Sequence, residues 1–390
     1  MHNLSPEALA WAQRLVRLNT VSAHSNLALI ECIADHLRAL NVPLRLSYDD
    51  ERKKANLFAT LGSNKGTGKG SGLVLSGHTD TVPWDGQEWT ADPLSGAVID
   101  GRLYGRGSAD MKGWIGTVVA QTQAWLQADL PFAIHYAFSY DEEVGGFGAR
   151  RLLADLRDAG IAPALCIVGE PTAMVPAIAH KGVHRWRCCV RGKAAHSSLT
   201  PTSVNAVQAA AKVVAHIAHI ADELQRTEPR QAGFDVPYST GAVCVFEGGI
   251  ADNVVPEQAR FHYEFRNLPG SDVDAMQAQV RQYAASLEPA MQAVEPSAGF
   301  SFEHFASMPA FQADAQEPAV RLAQRLARST QTTLVAFGTE AGLFQRAGMS
   351  TVVCGPGSIE QAHQADEFVS LDQLARCEAF LQGLARDEAD

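Results

Sequence analysis

The sequence predicts an α/β protein with a mostly parallel, mixed sheet flanked by helices, into which a second, smaller domain of strands and helices is inserted. Three observations carry this. Residues 73–75, 132–139, 165–168 and 351–354 form short apolar runs with β character. Runs that are apolar on both faces suit buried strands of a parallel sheet. Stretches with apolar residues at helical spacing lie among them, as at 6–18 and 26–40. Between the third and fourth runs the pattern changes to amphipathic strands and two long helices, which reads as an insertion.

The first run, 73–75, ends in Ser76-Gly77-His78-Thr79-Asp80. Ligands of open α/β sheets sit beyond the carboxyl ends of strands. In extended chain, positions i and i+2 face the same way, so His78 and Asp80 stand together. His78 suits a metal, with Asp80 holding its other ring nitrogen. A hydrogen-bonded turn would use the same two residues. The later runs repeat the arrangement. Residues 132–139 lead to Asp141-Glu142-Glu143, and residues 165–168 lead to Gly169-Glu170. The run 351–354 leads to a loop containing His363. Asp110 lies between glycines at the start of a helix expected over 114–128. It can cap that helix or join the others. Carboxylates that converge in this way repel unless protonated or neutralised by cations, and two divalent ions would neutralise them.

The remaining elements follow in order. Ser5 and Pro6 read as the N-cap and first position of the first helix. Residues 56–61 look like a strand. The Gly/Lys/Ser-rich stretch 62–72 lacks phosphate-loop spacing and reads as a surface turn. Residues 84–101 are loop and hairpin, with Asp100-Gly101 as the turn. The insertion, 182–308, offers strands at 183–190, 239–246, 258–267 and 299–305 and helices at 203–224 and 273–287. That βαββαβ order is ferredoxin-like. Residues 1–181 and 309–390 then form the domain that carries all the expected ligands.

Bulk properties narrow the function. A chain of 390 residues, 46% hydrophobic and 19% charged, fits a soluble protein of two domains. Its net charge of −11 argues against nucleic acid or an anionic membrane as partner. No apolar stretch approaches a membrane span, and no signal peptide is visible. The seven cysteines include no Cys-x-x-Cys pair. They read as reduced thiols of a cytoplasmic protein.

Five motifs carry a family resemblance: Ser-Gly-His-Thr-Asp-Thr-Val-Pro from Ser76, Gly-Arg-Gly-Ser-Ala-Asp-Met-Lys-Gly from Gly105, Asp-Glu-Glu-Val-Gly-Gly from Asp141, Gly-Glu-Pro-Thr from Gly169, and the late His363. In this order, over nearly the whole chain, they resemble the dinuclear zinc family that includes acetylornithine deacetylase, succinyl-diaminopimelate desuccinylase, aminoacylase and carboxypeptidase G. The segments 337–342 and 355–367 are most similar to the acetylornithine deacetylase branch. The desuccinylase branch carries Thr-Ser-Asp-Gly where this chain has Thr339-Glu340-Ala341-Gly342.

The resemblance implies a zinc-aminopeptidase-like catalytic domain and an inserted dimerisation and lid domain, working as a homodimer. It implies two Zn2+ per chain, with Co2+ able to substitute. His78, Asp110 and Glu170 would hold one ion; His363, Glu143 and the bridging Asp110 would hold the other. Glu142 would be the general base and Asp80 would orient His78. A cis peptide is implied after Asp110. His196, Asn253 and Arg266 match substrate-binding positions. His196 suits an oxyanion and Arg266 an α-carboxylate, although a turn histidine and a surface ion pair would look the same. Glu340 could meet a cationic substrate side chain or serve as a helix-start carboxylate. The implied reaction removes the acetyl group from an N-acetyl-L-amino acid, N2-acetyl-L-ornithine foremost, as in arginine biosynthesis. Acetylcitrulline, other N-acyl amino acids and succinyl-diaminopimelate are alternative substrates. A non-catalytic metal-binding protein is the distant alternative.

Overall fold

The computed structural model describes residues 3–62, 72–130 and 132–385. The stretch read as a surface turn, apart from Gly62 and Gly72, lies outside the described residues. The chain divides into two compact units. One comprises Met1–Ala179, Phe311–Val335 and Thr339–Asp390; the other comprises His180–Ala310 and Ala336–Gly338.

The first unit is built on a mixed sheet. Its strands run in space as Leu44–Tyr48, Ala55–Leu61, Ile134–Ser139, Leu73–His78, Leu165–Pro171, Ser350–Gly355, Ala177–His180 and Phe311–Gln312, with Thr333–Val335 also paired to Ala177–His180. The four central strands, from Ile134–Ser139 to Ser350–Gly355, are mutually parallel. They are the four apolar runs of the sequence, and Ile134–Ser139 and Leu73–His78 are buried along their whole length. Their register sets His78 opposite Ser139 and Ser76 opposite Val168. The carboxyl ends that precede the acidic motifs therefore lie side by side.

Helices cover the sheet. Ser5 accepts from Ala8 N at 3.1 Å and Pro6 opens the helix Pro6–Val16, as its sequence dictates. The helix expected over 114–128 is two helices, Gly113–Ala120 and Thr122–Gln127. Thr122 Oγ1 donates to Val119 O at 2.6 Å and Gln121 N bonds Val118 O, tightening the backbone at the join. Gly113–Ala120 is buried throughout. Its Trp114 donates to Ser76 O at 2.9 Å, beneath the strand end that bears His78. That close packing explains Gly169, where a Cβ would stand 2.1 Å from the Trp114 ring. In the hairpin Ala97–Ile99 and Arg102–Tyr104, both turn residues have positive φ, 48° at Asp100 and 73° at Gly101.

The second unit has the βαββαβ order. Its strands lie in space as Thr240–Gly248, Gln258–Arg266, Val183–Arg191 and Gly299–Met308, all antiparallel. The helices Ala206–Thr227 and Val273–Gln292 bury one sheet face. Trp186, Phe261, Tyr263 and Phe265 meet Val213, Ile217 and Val280 there. Every second residue of Gln258–Arg266, from Ala259 to Phe265, is buried. This is the alternation of a one-sided sheet. Among the described residues no helix is long and apolar enough to cross a membrane.

Gly169→Ala should lower stability by about 1–3 kcal/mol, because the new methyl group must displace a fully buried indole. A urea unfolding midpoint equal to that of the native protein would show that the indole yields freely.

Candidate metal centre

The central strands lead His78, Glu142, Glu143, Glu170 and, through a longer loop, His363 to the same end of the sheet, where Asp110 joins them. His78 is the last residue of Leu73–His78 and is buried. Its Nδ1 lies 2.9 Å from the main-chain carbonyl of Asp80. A carbonyl only accepts, so Nδ1 carries a proton and the ring presents Nε2 to the site. Nε2 faces Asp110 Oδ1 at 2.8 Å and Glu170 Oε1 at 3.6 Å. The other oxygen of Asp110, Oδ2, lies 3.3 Å from His363 Nε2. That nitrogen is in turn 3.2 Å from Glu143 Oε1. The ligand atoms fall into two groups, His78–Asp110–Glu170 and Asp110–Glu143–His363, each within 4.8 Å. Asp110 belongs to both, one oxygen to each imidazole. The peptide between Asp110 and Met111 is cis, as the resemblance implies.

Asp80 holds the other ring nitrogen of His78 through its main chain and not through its carboxylate. Its carboxylate stands 3.6 Å from His78 Nδ1, too far for a hydrogen bond. It accepts instead from Glu142 N at 3.1 Å, Glu143 N at 3.3 Å and Ser22 Oγ at 2.7 Å. Asp80 thus holds His78 through its carbonyl and the Glu142–Glu143 turn through its side chain. The turn starts at Asp141, whose φ is 56° and whose carboxylate pairs with Lys54 Nζ at 2.5 Å. Ser22 and Lys54 lie in no motif, so nothing in the sequence marks them.

Glu142 is half-buried and its carboxylate meets no hydrogen-bond donor among the described residues. Burial raises its pKa well above the usual range, and Glu170, Glu143 and Glu340 add to the rise against His78. Burial likewise raises Glu170, with Asp110 adding to it. Asp110 moves the other way. Against the cost of its own burial, hydrogen bonds from His363 and His78 hold it below the usual range. His363 is pushed up to about 10 by its bonds to Asp110 and Glu143.

Burial drives the glutamates up, while the pairing of Asp110 with two imidazoles drives Asp110 down and His363 up. At His78, acceptors face both ring nitrogens. A neutral imidazole donates at only one. The arrangement is satisfied by a positive charge at Nε2, a proton or a cation, or by a proton on a facing carboxyl group. Imidazole and carboxylate donors grouped in threes about a shared aspartate fit a pair of divalent ions with N and O ligands.

Glu340 is 1% exposed. It precedes the helix Ala341–Arg346 yet makes no capping bond. Its carboxylate turns inward to accept from Ser139 Oγ at 2.6 Å and Ser76 Oγ at 3.3 Å, and burial raises its pKa to about 7. The three other expected substrate contacts lie in the second unit. His196 and Asn253 are neighbours: His196 pairs with Val254, and Ser197 N donates to Asn253 O at 2.9 Å. Arg266 ends a different strand and bonds Glu264 at 2.7 Å.

Comparison with known proteins gives the family and the fold. Residues 74–387 match peptidase family M20/M25/M40, and the chain belongs to that family. It is 35% identical to an acetylornithine deacetylase of Myxococcus xanthus, over 98% of this chain and 97% of that one. It is 32% identical to the enzyme of the same name from Edwardsiella ictaluri, over 98% of both chains. Among solved structures, an M20 metallo-carboxypeptidase from Sulfolobus solfataricus superposes with a TM-score of 0.76 at 16% identity, covering 98% and 99% of the two chains. A dinuclear metal-binding M20 peptidase from Bacillus subtilis superposes with a TM-score of 0.64 at 16% identity, covering 97% and 96%.

Asp80→Asn replaces an acceptor of two backbone N–H groups by a group that must turn a donor toward one of them. Amide exchange across 141–146 should accelerate, and stability should fall by about 1–3 kcal/mol. Ser22→Ala, which removes a donor only, should accelerate the same amides less. Unchanged exchange in Asp80→Asn would remove Asp80 from this role.

Proposed function

We propose that this chain is a dinuclear metal amidohydrolase that releases the acyl group of an N-acyl-L-amino acid, with N2-acetyl-L-ornithine as substrate and L-ornithine and acetate as products. The observation that carries the reading is Asp110 set between two imidazoles with Glu142 beside them. The names of the most similar relatives supply the substrate.

His78, Asp110 and Glu170 would hold one ion, and Asp110, Glu143 and His363 the other. Zinc is the proposed ion, with cobalt able to substitute. When bound, the ions would supply Lewis acidity toward the substrate carbonyl and make water more acidic. Glu142 is the general base: it takes a proton from the attacking water and delivers it to the leaving amine. Its undonated carboxylate and raised pKa suit both steps. Asp80 keeps Glu142 aimed by fixing its backbone. His196, Asn253 and Arg266 are proposed to bind substrate. The Nδ1 of His196 is engaged by Ser198 at 2.8 Å, which leaves Nε2 for an oxyanion.

The homodimer is proposed to form through the second unit. Its edge strand Thr240–Gly248 is exposed along most of its length, and Val245, Phe246 and Ile250 stand in solvent. Bare edges of this kind invite strand pairing. Cleavage of acetylornithine would place the chain in arginine biosynthesis, in the cytoplasm.

Hydrolysis of acetylornithine, acetylcitrulline and succinyl-diaminopimelate under one condition tests the substrate. The first should be cleaved with the highest kcat/KM, and preference for another reassigns the specificity on the same centre. Purified protein should bind two divalent ions per chain, and chelation should abolish turnover. Glu142→Gln should keep both ions and lose activity by about 10²–10⁴-fold, whereas Glu143→Gln should also weaken one site. Near-native turnover in Glu142→Gln would mean another base. Mixing Glu142→Ala with His196→Ala asks which chain His196 serves. Recovery of roughly a quarter of the sites, from random pairing in a two-fold dimer, assigns it to the partner. Mixed dimers that stay inactive assign it to its own chain.

A further inference from the structure

Two buried residues outside the ligand set join the two loops that meet at the second ion site. Arg106 stands four residues before Asp110, and Glu367 stands four residues after His363. Each is 1% exposed, and they pair at 2.8 Å between Nη1 and Oε2. The bonds cross over. Glu367 Oε1 accepts from the backbone N–H of Ala109 at 3.0 Å and of Asp110 at 3.2 Å. The residue that follows one ligand thus holds the backbone of the other. Arg106 completes the return path: its Nη2 donates to Gln87 Oε1 at 2.5 Å, and Gln87 Nε2 donates to His363 O at 2.8 Å.

The two groups of ligands need this lacing unequally. His78 and Glu170 lie within strands of the central sheet, and each is buried. Asp110 begins beneath them, held by Glu367 and by the turn into the helix Gly113–Ala120. His363 has neither support. It belongs to no helix or strand, its φ is 62°, and its side chain is 47% exposed. Its place relative to Asp110 depends on Gln87, on Arg106 and on the segment running to Glu367. That segment is fixed by Gly105 N to Glu367 O at 2.9 Å and by Thr90 N to Asp366 Oδ1 at 2.9 Å.

We propose that Arg106, Glu367 and Gln87 are positioning residues that set His363 against Asp110, and that they govern the affinity of the Asp110–Glu143–His363 site for a divalent cation more than that of the His78–Asp110–Glu170 site. This rests on the reading of those two groups as ligand sets. The planar guanidinium serves Glu367 and Gln87 at once through two separate nitrogens. A lysine ammonium keeps the charge but lacks the fixed fork. Partners of this kind, outside the ligand set, typically change metal affinity by about 10–100-fold.

The test is a titration of chelator-stripped protein with Zn2+ and with Co2+, followed by calorimetry and by the Co2+ absorption spectrum. The native protein should show two binding steps. Gln87→Ala, at a half-exposed loop position, should leave one step in place and weaken the other by about 10-fold or more. Arg106→Lys should do the same to a greater degree. Glu367→Gln should follow Arg106→Lys. Thermal unfolding in the presence of chelator reports on folding apart from binding. If Arg106→Lys fails to fold, Gln87→Ala carries the test alone. Two unchanged steps in Gln87→Ala, or equal weakening of both, would overturn the proposal. A native protein that takes up fewer than two ions would instead overturn the ligand reading on which it rests.

Discussion

Buried negative charge is the constraint on which the first unit depends. Asp110, Glu143 and Glu170 converge with Asp80, Glu142, Glu340 and Glu367 around the carboxyl ends of four parallel strands. Carboxylates in such a place must be protonated, hydrogen-bonded or paired with a cation. Each remedy is used. Asp80 is satisfied by two backbone N–H groups and a hydroxyl. Glu340 is satisfied by two serine hydroxyls and its pKa is raised to about 7, within reach of the protonated form. Glu367 has a guanidinium. What remains is the set around Asp110, which has only imidazoles. That residue of uncompensated charge is where a cation belongs.

The same constraint explains the local backbone. Two adjacent glutamates can serve different purposes only if their turn is held rigidly. Asp80 holds it from below, and Lys54 holds its first residue. Gly169 lets the strand that bears Glu170 lie directly on Trp114, whose indole ties the strand that bears His78. The centre is therefore as much a property of the packed helix Gly113–Ala120 as of the residues that line it.

The sequence pointed to candidate ligands through strand ends and through the family resemblance. Four apolar runs mark central strands, and His78, Glu142, Glu143 and Glu170 stand at or just past the ends of three of them, whereas Asp110 and His363 lie on no strand. The inserted unit was legible for a similar reason: its strands alternate and its helices are long. Elements that depend on tertiary contact were hidden. The strand Leu44–Tyr48 is a short edge with no fully buried residue, so its pattern is weak. The break at Gln121 arises from a threonine hydroxyl that competes with the backbone, and composition does not register it. Glu340 reads in the sequence as a substrate contact or a helix-start carboxylate, and neither reading reaches its hydrogen-bond partners Ser76 and Ser139, which lie 264 and 201 residues away.

Arg106 and Glu367 show why motifs of this kind extend beyond their ligands. Asp110 needs only its own carboxylate to reach two imidazoles, yet the stretch from Gly105 to Gly113 is buried almost throughout. Its arginine is spent on a glutamate 261 residues later. A ligand on a loop has many orientations, and a site assembled from two such loops would lose affinity to each of them. Lacing the loops by a buried ion pair removes that freedom before any ion arrives. The ion pair is costly to bury, but the cost falls on folding and not on binding. A centre of this type is therefore specified by two sets of residues: those that offer donor atoms, and those that keep the donor atoms in place when nothing is bound.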